Sequence, residues 1–435
     1  MRIGLFTDTY HPSINGVVYV IDITRKHLEA QGHEVYIFCP GGLKWRSDDD
    51  HIIRFPSVKG AFYDDYDLTL FFPPQILRKI KSLHLDIIHS FTPGQVGVMA
   101  VYASYKHKIP LVSQHSTDIY EYVEHYPAVL PGLLILAAFL PLTFRFDGKD
   151  AKQLLKLYIP RRGVNKWNRA IIEALVAMLY SRCDAVIALS RKSNKQLADW
   201  QNTTGYHYDL RLMPTGVNAL PHISNTALQR FRKKFAIADG DELITYVGRL
   251  GAEKNLALLI PMIERIVQKR PQARLLYVGD FEYREQLEQL AQESSCPKRI
   301  TFTGALPRDT LNQVYQNTSV FVFPSLTDTQ GLVLHEAAHA GCPLVVIDKY
   351  VSEVIKNGKN GLYAHNTAGS LSSAVLSILA TPSKIHEFSH NSKKLASLYT
   401  EEKQVRTLEE LYKKIAVTQV ETPRRHWLKR ILKKH

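Results

Sequence analysis

Glu242-Leu243-Ile244-Thr245-Tyr246-Val247, closed by Gly248-Arg249, is an apolar, β-branched and aromatic run that stops at a glycine. Such a run reads as a buried strand, and Gly248 lets the backbone turn where it ends. The stretch decides the fold because it starts a pattern over again. Before it, residues 2–6, 34–38, 86–90, 111–114 and 184–189 read as strands. Helical spacings lie between them, as in Val17, Val20, Ile21, Ile23 and Leu28, a helix stopped by Gly32. After it, residues 274–278, 300–302, 320–323 and 343–347 repeat the alternation. Strands separated by helices imply a parallel sheet covered on both faces. Met213-Pro214-Thr215-Gly216-Val217-Asn218 reads as the linker. The expected fold is α/β: two Rossmann-like, doubly wound units facing a cleft. The expected boundaries are 1–212, 213–395 and 396–435, the last ending in a basic amphipathic tail. In such sheets ligands bind beyond the C-terminal strand ends, so functional residues should follow strands.

The chain has 435 residues, 45% hydrophobic and 22% charged, which is the profile of a globular protein with sizeable cores. Cys39, Cys183, Cys296 and Cys342 form no Cys-x-x-Cys pair, so no zinc or redox motif is present, and scattered cysteines fit a reducing cytosol. The start, Met1-Arg2-Ile3-Gly4-Leu5-Phe6, reaches Asp8 too soon for a secretory leader and reads as a buried first strand. A net charge of +14 and a pI near 9.4 favour polyanions. No zinc-finger spacing, aromatic RNP motif or basic dimer helix accompanies that charge, so nucleic acid is not the expected partner. An anionic membrane surface is.

Two segments stand apart. Residues 128–144 (AVLPGLLILAAFLPLTF) carry no charge but are interrupted by Pro131 and Pro141. A span needs about 20 apolar residues, so the segment reads as buried or interfacial. Near the C-terminus, Trp427, Leu428, Ile431 and Leu432 share one helical face and basic residues fill the other. That is the pattern of an interfacial membrane anchor; a helix docked on a domain is the alternative.

Three places carry chemistry. Arg249 and Lys254 follow the strand 242–247. An Arg fork and a Lys point charge can neutralise a diphosphate; solvated surface cations are the alternative. Second, in Pro324-Ser-Leu-Thr-Asp328-Thr-Gln330-Gly331-Leu332-Val-Leu-His-Glu336-Ala337, a strand leads to a turn and Gly331 opens a helix. The free amides of a helix start bind anions, and Asp328 and Glu336 can accept hydrogen bonds from sugar or ribose hydroxyls. The alternative makes Asp328 a helix cap and Glu336 a surface acid. Third, His115 closes the strand 111–114.

Together these motifs resemble the family 4 retaining glycosyltransferases of the GT-B fold. That family has an acidic residue, seven spacers and a glutamate, as in Asp328 to Glu336; Gly-Arg-Leu…Lys on the preceding strand; and a glycine loop after the first strand. The resemblance covers nearly the whole chain, to about Tyr412. It implies a nucleotide-sugar donor domain in residues 213–395, an acceptor and membrane-binding domain in 1–212, and C-terminal helices in 396–435 that return to the N-terminal domain ahead of the basic tail. Glu336 is implied to bind ribose and Asp328 the donor sugar. Arg249 and Lys254 are implied to hold the leaving diphosphate. The backbone of Gln330, Gly331 and Leu332 would line the sugar–phosphate site, and Gly16 would let the first loop approach the phosphate. His115 would steady the transferred sugar. Asp328 stands where the family usually has Glu, which loosens the expectation of sugar identity. Asn15-Gly16 replaces Gly-Gly; Asn, which also tolerates left-handed backbone, makes this a mild change.

No cofactor and no metal are expected, because the cations and the helix start supply the positive field. Asp65-Tyr66-Asp67 is formally Asp-x-Asp but precedes any cleft strand and is rejected as a metal site. The stretch from His115 to Tyr126, the apolar 128–144 and the following Lys149, Lys152, Lys156, Arg161, Arg162, Lys166 and Arg169 are similar to bacterial diacylglycerol glucosyltransferases. The implied reaction moves a hexose, glucose by expectation, from a UDP-sugar to a lipid acceptor: diacylglycerol or monoglycosyl-diacylglycerol, toward glycolipid and lipoteichoic acid anchors. The implied place is cytoplasmic, peripheral on the inner face of the membrane. A polysaccharide, teichoic acid or protein-linked acceptor on the same fold is the alternative.

Overall fold

The computed structural model describes residues 1–13, 15–41, 49–59, 67–69, 73–118, 120, 137–138, 140–157 and 164–421. The chain forms two compact units: residues 1–189, 193–213 and 401–435, then 190–192 and 214–400.

The first unit is built on a parallel sheet ordered β3-β2-β1-β6-β7-β8-β9. Its strands are β1 (Arg2–Phe6), β2 (Glu34–Pro40), β3 (Ile52–Phe55), β6 (Ile87–Ser90), β7 (Leu111–Gln114), β8 (Ala185–Ala188) and β9 (Leu210–Leu212). A short antiparallel pair, β4 (Ser57–Lys59) with β5 (Asp67–Thr69), lies apart. The central strands are apolar along their length because helices cover both faces, and Phe6 stacks on Phe38 at 4.3 Å. The helix Glu401–Glu421 belongs to this unit and packs on the helix Gly16–Ala30. Tyr19 donates to Glu401 at 2.6 Å, and His27 lies 3.1 Å from the same carboxylate. Buried Tyr412 meets His89 at 2.6 Å.

The second unit repeats the plan with order β12-β11-β10-β13-β14-β15. The strands are β10 (Glu242–Val247), β11 (Ala273–Val278), β12 (Ile300–Phe302), β13 (Thr318–Phe323), β14 (Leu344–Val346) and β15 (Gly361–Tyr363). The order reverses between β10 and β13. At such a switch point α/β sheets hold ligands beyond the strand ends.

The sequence pattern foresaw the central strands and the edge strand β12, but not β3, β4, β5, β9 or β15. Among the described residues no helix is long and apolar enough to cross a membrane.

Backbone packing fixes the ends of β10 and β11. Gly279 has φ +141°, and a Cβ there would lie 1.9 Å from the carbonyl oxygen of Gly248. Gly279→Ala should therefore strain the turn after β11 and push it off β10. Strain of about 1–3 kcal/mol lowers the melting temperature of a unit this size by roughly 5 °C. Calorimetry checks this, and an unchanged melting temperature would count against the tight turn.

Candidate donor site

The loops leaving β10 and β13 lie side by side because those strands pair in parallel. The β10 loop turns at Gly248 and enters a short 3-10 turn, Ala252–Lys254. Gly251 leaves no room for a side chain, since a Cβ would sit 2.1 Å from Glu253 Oε2. Glu253 is thereby folded inward and buried. Its Oε1 lies 3.0 Å from Arg249 Nη2 and 3.9 Å from Lys254 Nζ. The Arg249 guanidinium also covers the Phe281 ring at 4.6 Å, a cation–π contact. Lys254 Nζ donates to Asp328 Oδ1 at 3.0 Å, and Thr327 Oγ1 donates to the Glu253 carbonyl at 3.3 Å. Arg249, Lys254 and Asp328 are thus brought together around Glu253, which the sequence reading did not single out. Nothing in a lone Glu before a Lys signals such burial.

Burial works to raise the Asp328 pKa. The charge of Lys254, with a hydrogen bond from Ser325 and the charge of Lys192, outweighs it, and the carboxyl is held below its ordinary value of 3.8. A depressed carboxylate adds stability above that ordinary value and loses it as pH falls through the lower folded value.

The β13 loop ends at Gly331, in left-handed geometry (φ 66°, ψ 68°), where the helix Leu332–Ala340 begins. No side chain caps this helix start, so Asp328 is not its cap. The first amides and the positive end of the helix dipole remain available to an anion. Gln330 turns its side chain the other way. It accepts from the Thr215 amide at 3.0 Å and donates to the Thr215 carbonyl at 2.8 Å. His335, 3.1 Å from the same amide nitrogen, is driven by burial to a pKa of about 3 and stays neutral.

Glu336 lies one turn further and is 3% exposed, so it is not a surface acid. Tyr315 donates to its Oε2 at 2.7 Å, and Arg308 Nη2 lies 2.6 Å from Oε1. Burial first, then the Glu336 charge, holds the Tyr315 phenol well above its usual pKa. Arg308 and Tyr315 were also absent from the sequence reading. Their role depends on contact with Glu336 and leaves no local motif.

Residues 14–219 match the family described as "Glycosyltransferase Family 4", and residues 229–395 match "Glycosyl transferases group 1". The chain belongs to the family 4 glycosyltransferases. It is 27% identical over 425 residues to the alpha-monoglucosyldiacylglycerol synthase of Acholeplasma laidlawii, covering 95% of this chain and 96% of the other. It is 27% identical over 391 residues to the protein of the same name from Streptococcus pneumoniae (88% and 79%). The structure of Anabaena HepE in complex with UDP and glucose superposes with a TM-score of 0.67 at 16% identity, over 95% of this chain and 100% of the other. The fold is GT-B.

The remaining expected residues of this glycosyltransferase lie in the first unit. His115 follows β7 and is 1% exposed. Its Nδ1 meets the Tyr180 hydroxyl at 3.0 Å, and Trp200 stands edge-on at 5.8 Å. Gly16 is the exposed first residue of its helix and has no left-handed geometry. Asn15 corrects the expectation attached to it. It is extended (φ −152°), and its side chain caps the helix by accepting from the amides of Val17 and Val18 at 3.0 and 3.1 Å. Asn is favoured here as an N-cap, not for left-handed backbone.

Residues Asp65 and Tyr66, Arg161 and Arg162, and the tail 423–435 lie outside the described residues. So does most of 128–144, although its end, with Ala137, Leu140 and Phe144, is buried in the first unit.

Proposed function

We propose that this glycosyltransferase moves a glucosyl residue from UDP-glucose to diacylglycerol or monoglucosyl-diacylglycerol, with retention, on the cytoplasmic face of a membrane. Its product would serve as a glycolipid or lipoteichoic acid anchor. The observation that carries the donor half is the pairing of Lys254 with Asp328 at 3.0 Å, beside Arg249 and the uncapped helix start at Gly331. As the diphosphate departs, negative charge grows on its oxygens and the anomeric carbon gains oxocarbenium character. Arg249, Lys254 and the helix amides are fixed dipoles and charges that stabilise this without reorganising. Asp328 accepts from sugar hydroxyls. Glu336, oriented by Arg308 and Tyr315, accepts from ribose.

The lipid acceptor is supported by the two alpha-monoglucosyldiacylglycerol synthases, which align along most of the chain. UDP and glucose are what HepE holds on the same fold. The helix Gly148–Leu157 presents Leu155, 70% exposed, between exposed Lys152 and Lys156. An apolar side chain between cations suits an anionic headgroup layer.

Purified protein with UDP-glucose and diacylglycerol in anionic vesicles should yield a glucolipid, read by thin-layer chromatography and mass spectrometry. Because side chains neutralise the leaving group, EDTA should change the rate by less than about twofold. Activity confined to a water-soluble acceptor would sink the lipid assignment, and loss of turnover in EDTA would sink the metal-free one.

A further inference from the structure

The loop that carries Asp328 has no regular structure between β13 and Gly331, and its Leu326 side chain is 40% exposed. Its side chains pack inward, with Ser325, Thr327 and Gln330 buried. Its carbonyls are held by Ser190–Lys192, three residues that group with the second unit. Lys192 Nζ donates to the carbonyl of Leu326 and, at 3.2 Å, to that of Asp328. The same ammonium lies 3.7 Å from Asp348 Oδ2, beyond β14. Ser190 Oγ donates to the Thr329 carbonyl at 2.5 Å. The segment itself is anchored. The Lys192 amide donates to Tyr350 at 3.1 Å, and Arg191 donates to Glu353 through its amide at 3.2 Å and Nε at 3.0 Å.

We propose that Lys192 is a positioning residue for glycosyl transfer, gripping the Leu326–Thr329 backbone so that the Asp328 carboxylate stays against Lys254. The proposal rests on Asp328 being the group that meets the donor sugar. An ammonium suits the task because it has three donors and no fixed plane, so one side chain serves two carbonyls and a carboxylate. A displaced Asp328 would not move Arg249, held by Glu253 and Phe281, or the amides after Gly331, which would still meet a diphosphate. Lys192 should therefore act on turnover more than on nucleotide affinity.

There is also an electrostatic signature. Asp328 faces Lys254 at 3.0 Å, with Glu253 on the far side of that lysine, and Lys192 with its partner Asp348 behind the loop. Lys192 is one of the charges that keep Asp328 ionised. Removing it raises the Asp328 pKa, so more of the carboxyl is protonated at a given acid pH. The acid limb of the rate profile moves up.

The test uses the full chain, with UDP-glucose hydrolysis or transfer to vesicle-borne diacylglycerol as readout. Lys192→Met should lower kcat about tenfold. It should leave the Kd for UDP within about twofold and shift the acid limb of kcat to higher pH. Lys192→Arg should restore most of the rate. Unchanged kcat and acid limb in Lys192→Met would overturn the proposal. So would equal losses of UDP affinity and melting temperature with no rescue by arginine, which mark a merely structural residue. Asp328→Asn separates the two layers. If it abolishes turnover while Lys192→Met leaves kcat and the acid limb unchanged, only the Lys192 inference fails. If it is fully active, the Asp328 assignment fails and takes the inference with it.

Discussion

Lys254→Met should lower the rate of glycosyl transfer by about 10²–10³-fold, the usual cost of deleting one preorganised charge aimed at a leaving group. The structure gives a second reason for a large effect. Lys254 is shared by two carboxylates, Asp328 at 3.0 Å and Glu253 at 3.9 Å. Counting Arg249 and Lys254 against Glu253 and Asp328, two positive charges meet two negative ones and the cluster is neutral. Without Lys254 it is net negative and repels a diphosphate. Stability should respond as well. Burial is the largest influence on Asp328, and the Lys254 charge, a hydrogen bond from Ser325 and the Lys192 charge together reverse it. In Lys254→Met the largest opposing influence is gone and the folded pKa rises. A raised carboxyl pKa favours folding below the unfolded value of 3.8 and loses that benefit as pH climbs through the folded value. The variant's melting deficit against wild type should therefore be largest at neutral pH and shrink on acidification. Combining the variant with Asp328→Asn should recover part of that deficit, because the two changes are not additive. A rate within threefold of wild type, or a melting deficit independent of pH, would remove Lys254 from the machinery.

The parts of this design that could be read from the chain were those that depend on local pattern. β1, β10, β11 and β13 are interior strands of sheets buried on both faces, so they appear as unbroken apolar runs. β3, β9 and β15 are edge strands of three or four residues. In β9, Leu210-Arg211-Leu212, the second and third residues are exposed, and so short a run broken by a charge does not stand out from a loop as the equally short but uncharged β12 does. The same rule governs the site. Arg249, Lys254, Asp328 and Glu336 were visible because each follows a strand at an expected spacing. Glu253, Arg308, Tyr315 and Lys192 were not, because each acts through a partner brought close only by folding. Lys192 meets a loop 134 residues away in sequence, and Tyr315 meets Glu336 from a different helix. Asn15 shows a subtler limit. Its replacement of glycine suggested backbone freedom, whereas the residue is extended and works through its side chain.

Glu336 offers the second large effect, and its two obvious variants should behave differently. Glu336→Gln keeps the side-chain volume and an acceptor for the buried Tyr315 hydroxyl, which now donates to Oε2 at 2.7 Å. It loses the ion pair with Arg308, whose side chain is 46% exposed and can turn to water. Its melting temperature should stay near wild type. Glu336→Ala leaves the Tyr315 hydroxyl buried without that acceptor, at a cost of about 1–3 kcal/mol. It should melt lower. Both variants remove the carboxylate that would accept the ribose hydroxyls. Ribose does not change during transfer, so this contact acts about equally in ground and transition states. The donor KM and the Kd for UDP should rise by roughly 10- to 100-fold, with a much smaller change in kcat. Calorimetric titration with UDP and a donor-dependence series check both halves. The glutamine variant is the decisive one, since it separates recognition from folding. If it binds UDP within about twofold of wild type, Glu336 is a structural partner of Arg308 and Tyr315, and ribose is read elsewhere.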